Sequence, residues 1–300
     1  MTAAKGPDGE RWADERLYGA LLTSAPARSL DRILLDSAAE VARERRARDP
    51  LVTVVVPTLN EAENLPFVLS RIDPDVHEVL VVDGGSEDGT TELARRLHPR
   101  VRTLVDSGRG KGDALRTGFR AATGDIIVTI DADGSADPWE IPAFVGALRA
   151  GADFAKGSRF LQGAGTADMP FYRRLGNSAF VHMVRLLFGG HYSDLCYGYN
   201  AFWRDVLPRL QLDSDGFEIE TMMNIRALRA GLLVVEVASF ESCRAHGIAK
   251  LRTIPDGWRV LKAILRERFT RLPAEGSVRR TPVTAESRGD VPEDGLADQI

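Results

Sequence analysis

Residues 125–142 read DIIVTIDADGSADPWEIP. The opening DIIVTI is short, apolar and β-branched, as in a strand buried on both faces. The chain then turns polar at Asp131-Ala132-Asp133-Gly134. Asp137-Pro138-Trp139-Glu140 marks a helix start, with an N-cap aspartate, proline at the first helical position and an acid at the third, and Gly151 supplies the stop. A buried strand feeding through a polar turn into a helix is the repeating unit of an α/β protein.

Upstream the unit recurs. LVTVVV (51–56) leads to a helix with Leu65, Val68, Leu69 and Ile72 on one face. EVLVV (78–82) precedes the helix TTELARRL, and VRTLV precedes a helix bearing Leu115 and Phe119. This alternation predicts a mostly parallel sheet with helices on both faces and ligands at the carboxyl ends of the strands. Downstream, GSRFLQGAGTADMP (157–170) reads as a mobile Gly-rich loop. Helices are expected around Phe180, Met183, Val184 and Leu187, and around Ile219, Met222 and Met223. A strand LLVVEVA (232–238) and a helix around Trp258, Leu261 and Leu265 close the pattern.

The ends differ from this body. Residues 1–50 place Leu30, Ile33, Leu34 and Val41 on one helical stripe and predict an amphipathic helical extension. Residues 272–300 have scarcely any apolar side chains and predict disorder. A net charge of −4 argues against a bulk nucleic-acid binder. The stretch 244–271 nevertheless carries eight Lys/Arg against Asp256 and Glu267. Two cysteines, Cys196 and Cys243, make no disulfide framework. No signal-like apolar run and no stretch of about 18 apolar residues is present. The expectation is a cytoplasmic protein whose membrane contact is at most peripheral, at the inner face.

Asp131 and Asp133 converge at the end of a strand, and such hard oxygen ligands suit Mg²⁺ or Mn²⁺ bridging phosphate oxygens. A polar turn would use the same residues. Around this pair, Thr58, Asn60 and Glu61 follow the first strand with hydrogen-bonding groups. Asp83 ends the second strand, where it can accept from a base N–H or a ribose hydroxyl. Ser107-Gly108-Arg109-Gly110-Lys111-Gly112 resembles a phosphate cradle with Lys111 reaching a diphosphate. DLCYGYNAFWR (194–204) and DGFEIE (215–220) offer Asp194, Asp215, Glu218 and Glu220 as further site acids or helix caps. Tyr197, Tyr199, Phe202 and Trp203 either line a ligand pocket or pack in the core.

VVVPTLNEAENL, EVLVVDGGSEDGT, GKGDALRTGF, DIIVTIDADGSADPWEIP and ADFAKGSRF together resemble the family 2 glycosyltransferases with the GT-A fold. Among these the polyprenyl-phosphate glycosyltransferases, such as the dolichyl-phosphate mannose synthases, are the most similar group. The likeness runs from about residue 51 to 250. It implies that Pro57, Thr58, Asn60, Glu61 and Asp83 surround the nucleoside, and that Asp131, Ala132 and Asp133 hold metal and diphosphate. Arg244 and Lys250 match a closing loop that supplies cations to the donor, with His246 as a further metal ligand. Arg159, with Arg173 or Arg174, matches the arginines that bind an acceptor phosphate. Gly84 departs from the pattern, which often has a second acid after Asp83. Ser135 stands where the mannose synthases commonly carry Gln, so mannose does not follow from the likeness.

The expected protein is therefore a single α/β catalytic domain, with a nucleotide-sugar-binding half at 51–160 and an acceptor-binding half at 161–271. It would transfer a sugar from a GDP- or UDP-sugar to a polyprenyl phosphate with inversion, using Asp131, Asp133, Asp194 and Glu220 in catalysis. A soluble hydroxyl or phosphate acceptor, a retaining outcome and a non-catalytic nucleotide-sugar binder are the competing readings, and a homodimer stays open.

Overall fold

The computed structural model describes residues 49–248, 250 and 252–270. All but the last two residues of the 1–50 extension, and the whole 272–300 tail, lie outside the described residues.

The expected alternation is present. Strands β1 (Val52–Thr58), β2 (Glu78–Asp83) and β3 (Val101–Val105) are each followed by a helix: α1 (Leu65–Leu69), α2 (Thr90–Leu97) and α3 (Lys111–Ala121). Next come β4 (Ile126–Thr129), a 3₁₀ turn at Pro138–Glu140 and α4 (Ile141–Arg149). Asp137 caps that turn by accepting from the Trp139 amide. The second half runs β5 (Phe154–Ser158), β6 (Gly165–Thr166), α5 (Phe171–Phe188), β7 (Asn200–Trp203), α6 (Leu207–Leu210), α7 (Ile219–Arg229), β8 (Val234–Ala238), β9 (Phe240–Glu241) and α8 (Thr253–Phe269).

Seven strands form one sheet in the order β3-β2-β1-β4-β7-β5-β8. All pairings are parallel except those of β7, which runs antiparallel to both β4 and β5. The chain builds outward from β1 through β2 to β3, then returns so that β4 lies on the other side of β1. Such a reversal opens a crevice at the carboxyl ends of β1 and β4. Both faces of the sheet are covered, so β2 and β4 are buried along their whole length. Helix α3 approaches very closely, because a Cβ at Gly118 would lie only 2.5 Å from Val55 Cγ1.

One feature differs from expectation and one open alternative is decided. Part of the Gly-rich 157–170 stretch is ordered, with β6 pairing in parallel with β9. The aromatic run at 199–203 belongs to the core, forming strand β7 and its approach. Tyr199 stacks on Phe144 at 4.3 Å between ring centroids, and Phe202 stacks on Phe154 at 5.5 Å. A four-residue strand buried on both faces has no alternation to betray it.

A second apolar cluster, including Val184, Leu195, Ile225, Val260 and Ile264, joins α5, α7 and α8. Glu267, fully buried on α8, accepts from Arg226 at 2.7 Å and Arg229 at 3.0 Å, which clasps α8 to α7. Among the described residues, no helix is long and apolar enough to cross a membrane.

Candidate active site

Asp131, Ala132 and Asp133 leave β4 at the crevice and line a cavity of about 470 Å³. Lys111, the first residue of α3, reaches Asp131 Oδ1 at 2.5 Å and also pairs with Glu220 at the start of α7. Burial works against the ammonium, yet the carboxylates of Asp131 and Glu220 outweigh it and hold Lys111 above its ordinary pKa. Burial raises the Glu220 carboxyl, and Lys111 opposes that rise. Gly198, just before the antiparallel β7, delivers its backbone onto this trio. A Cβ there would lie 2.5 Å from Glu220 Oε1, 2.8 Å from Lys111 Nζ and 3.0 Å from Asp131 Oδ2.

The segment after β9 folds over the second aspartate. Arg244 bridges Asp133, at 3.3 Å, and Glu61, while Lys250 binds Glu61 at 2.7 Å. The Ala245 amide donates to the Asp133 carbonyl at 3.2 Å. Both cations expected from a closing loop are thus at the site. His246 is not gathered with them as a metal ligand. Its backbone amide and carbonyl are held by the Asn64 side chain, and its ring lies 5.5 Å from that of Phe67. Among the described residues no three His, Cys, Asp or Glu side chains converge as a metal site. Two carboxylates suffice where phosphate oxygens and water complete the shell, as is usual for Mg²⁺. The donor set therefore fits a divalent cation shared with a diphosphate. Lys111 and Arg244 balance the two carboxylate charges in the structure.

The glycines of the 107–112 loop have a different explanation from the one expected. Gly108 and Gly110 line the cavity, but the amides of Gly112 and Asp113 at the α3 N-terminus donate to the Asp215 carbonyl and are not available as a cradle. A Cβ at Gly110 or Gly112 would strike the 214–215 backbone at 2.8 or 2.4 Å. These glycines allow two backbones to meet, and the Lys111 side chain is what faces a ligand.

At the other end of the cavity, Pro57, Thr58, Glu61, Gly84 and Asp106 form the lining. Asp83 and Asn60 are outside it. The buried Asp83 carboxylate accepts from the amides of Gly85 and Ser86 at 3.2 and 2.9 Å, so it caps its own turn instead of facing a nucleoside. Asn60, with φ of 51°, accepts from the Glu87 amide at 2.9 Å and ties the two loops together.

On the acceptor side, Arg159 reaches the cavity but is not a free phosphate ligand. Its guanidinium is bidentate on Asp194 at 2.6 and 2.9 Å, and NH1 donates to both oxygens of Glu241 at 3.0 Å. Burial opposes its charge, while Asp194 and Glu241 hold the pKa above the ordinary value. Asp194 is fully buried in that pair and cannot serve as a catalytic acid. Truncating Arg159 would leave the buried Asp194 charge without its bidentate partner. Arg159→Ala is therefore expected to cost about 3–5 kcal/mol of stability, read by denaturant unfolding, in addition to any effect on rate. Asp215 pairs with Arg109 and Arg116, and Glu218 accepts from the Gly216 amide at 3.3 Å; both lie outside the cavity. Of the two neighbouring arginines, Arg173 lines the cavity and donates Nε to Thr253 at 3.1 Å. Arg174 points elsewhere and packs over Phe160 at 5.6 Å. The cavity continues between α5 and α8, past Tyr172, Gly176, Phe180, Gly257 and Val260. Sequence reasoning missed this channel, together with Gly198 and Asp106.

Residues 53–210 match the family described as Glycosyl transferase family 2. The polyprenol monophosphomannose synthase of Mycolicibacterium smegmatis is 36% identical over 215 residues, covering 66% of this chain and 80% of that protein. The undecaprenyl-phosphate mannosyltransferase of Micrococcus luteus is 35% identical over 201 residues, 62% of this chain and 81% of that protein. Among solved structures, glucosyl-3-phosphoglycerate synthase from Mycobacterium tuberculosis, in complex with Mn²⁺, UDP and glucosyl-3-phosphoglycerate, superposes with a TM-score of 0.60 at 25% identity. That match covers 78% of this chain and 85% of that one. The α/β architecture is thus of the GT-A type.

Proposed function

This chain belongs to glycosyl transferase family 2 and is a glycosyltransferase, and from that premise we propose that it moves a hexosyl group from a nucleoside-diphosphate sugar to a polyprenyl phosphate. The acceptor is the finer part of the proposal, and one observation carries it. The cavity does not end at the aspartates but runs on between α5 and α8, lined there by Tyr172, Phe180 and Val260 beside Arg173, with Asp168 and the Arg259-paired Asp256 also in its wall. A cation followed by an apolar channel suits a phosphate attached to a hydrocarbon chain. The mouth of this channel has an exposed apolar rim: Phe171, Tyr172 and Leu175 on α5, Ile254 and Trp258 on α8. Arg252, Arg259 and Lys262 stand exposed beside it. Apolar residues interleaved with cations on amphipathic helices favour an anionic membrane surface. The names of the two mannosyltransferase relatives agree with such an acceptor.

In this proposal Asp131 and Asp133 hold a divalent cation against the donor diphosphate. When bound, that cation offsets the charge that builds on the departing nucleoside diphosphate. Lys111 turns the same way, kept aimed by Glu220 whichever partner Asp131 takes. Arg244 and Lys250 close over the donor from the other side and exclude water. The acceptor needs no protein base. A phosphate monoester has its second pKa near about 6, so at neutral pH it already presents an oxyanion. Arg173 holds that phosphate in line for attack on the anomeric carbon with inversion.

Arg173→Ala tests the placement. It should lower transfer to a polyprenyl phosphate by about 10–100-fold, the worth of one charge-assisted hydrogen bond, while donor binding and slow donor hydrolysis change little. Equal damage to donor binding and transfer would remove Arg173 from the acceptor site.

A further inference from the structure

The loop ends of β1, β2 and β3 leave one carboxylate facing the cavity without a role in the chemistry above. Asp106 follows β3 directly and lines the cavity beside Gly84, the residue that follows β2. An ideal Cβ at Gly84 would lie 3.7 Å from Asp106 Oδ1 and 3.7 Å from Leu59 Cδ1, so the space above Gly84 is the space the Asp106 carboxylate borders. An acid at position 84 would set its charge against Asp106. Asp83 does not compete for this place, since its carboxylate is turned into the 84–86 turn.

Asp106 is held ready for a ligand. Its Oδ1 accepts from the Gly108 amide at 2.7 Å, which fixes the side chain without exhausting its lone pairs. Burial, helped by the nearby charges of Asp113 and Asp83, pushes the carboxyl above its ordinary range, so a donor reaching it would be welcomed. Its position suits one part of a nucleotide. The strand order β3-β2-β1-β4 puts Asp106 three strands from Asp131, roughly 14 Å at ~4.8 Å per step, which sets it beyond the diphosphate and ribose and level with the base.

We propose that Asp106 is the base-reading residue of the donor site and selects guanine. A carboxylate offers two acceptors side by side, and the pairing edge of guanine presents two adjacent N–H donors, N1–H and the 2-amino group. Uracil presents one N–H flanked by two carbonyl oxygens, which the carboxylate repels. Adenine and cytosine each place an acceptor beside their amino group. The bare Gly84 leaves room for a purine to lie over the end of β2.

This inference rests on the nucleoside-diphosphate donor proposed above, and calorimetric titration of the full chain with GDP, IDP and UDP in Mg²⁺ separates the two. Inosine lacks the 2-amino group, so wild type should bind GDP about tenfold or more tighter than IDP. Asp106→Asn keeps the acceptor for Gly108 but faces an amide N–H towards the base. It should lower GDP affinity by about 10–100-fold and leave UDP nearly unchanged, which also reports that the variant is folded. Equal losses for all three nucleotides, an unaltered GDP affinity, or a wild type that prefers UDP would overturn the assignment and leave the donor reading standing. A wild type that binds none of the three would overturn both.

Discussion

Asp133→Asn should reduce sugar transfer by about a thousandfold, or ~4 kcal/mol of transition-state stabilisation, while the protein stays folded. Asparagine keeps the carbonyl oxygen that accepts from the Ser135 amide at 3.0 Å, so the turn after β4 survives. What disappears is one of the two negative charges able to share a cation with the donor diphosphate, and with it the pairing to Arg244. The readout need not rely on activity. A nucleoside diphosphate at a hundredfold excess over its dissociation constant stabilises a protein by about 2.7 kcal/mol through linkage. In wild type much of that gain should require Mn²⁺ or Mg²⁺. In the variant the metal-dependent part should vanish. Equal metal-dependent stabilisation of both proteins would place the cation elsewhere.

Gly198→Ala should also lower the rate strongly, although it adds one methyl group and removes no charge. The new carbon would sit 2.5 Å from Glu220 Oε1, 2.8 Å from Lys111 Nζ and 3.0 Å from Asp131 Oδ2. These are side-chain ends, which ordinarily move aside at small cost. Here they are held together, and the backbone of residue 198 is itself pinned, its carbonyl accepting from Thr129 at 2.9 Å and Asn200 at 3.2 Å. The methyl must push Lys111 away from the site. A displacement of about 1 Å in a reacting constellation can cost on the order of a hundredfold in rate. Stability should fall by only about 1–3 kcal/mol, as for other overpacked sites. The check is kcat beside the unfolding midpoint. A stable variant with wild-type kcat would show that the trio tolerates rearrangement.

The strands and helices of the first half were legible because each buried strand is a continuous apolar run and each helix repeats at i, i+3, i+4. The aspartate pair was legible because it sits directly after such a run. What escaped the sequence were features made by contacts between distant segments. Strand β7 is four residues buried on both faces, so nothing alternates. Arg159 resembles a phosphate ligand by position, but only the fold brings Asp194 and Glu241 to it. Asp83 reads as a ligand-facing acid until the amides of Gly85 and Ser86 are seen to occupy it. The glycines at 110 and 112 suggest a phosphate cradle, whereas the 214–215 backbone they accommodate is about a hundred residues away in sequence. Gly198 and Asp106 carry no local signal at all, since the meaning of each lies in what stands opposite.

The acceptor is the central claim, and the full chain supplied with Mg²⁺ or Mn²⁺ and radiolabelled nucleoside-diphosphate hexoses tests it directly. Label transfer is followed to a short-chain polyprenyl phosphate in detergent and, in parallel, to soluble phosphate and hydroxyl acceptors that include 3-phosphoglycerate. The proposal predicts label in the organic phase as a glycosyl phosphodiester that mild acid releases, formed with at least one of the donors and not by Asp133→Asn. Label confined to the aqueous phase on a soluble acceptor, with the polyprenyl phosphate untouched, would contradict it.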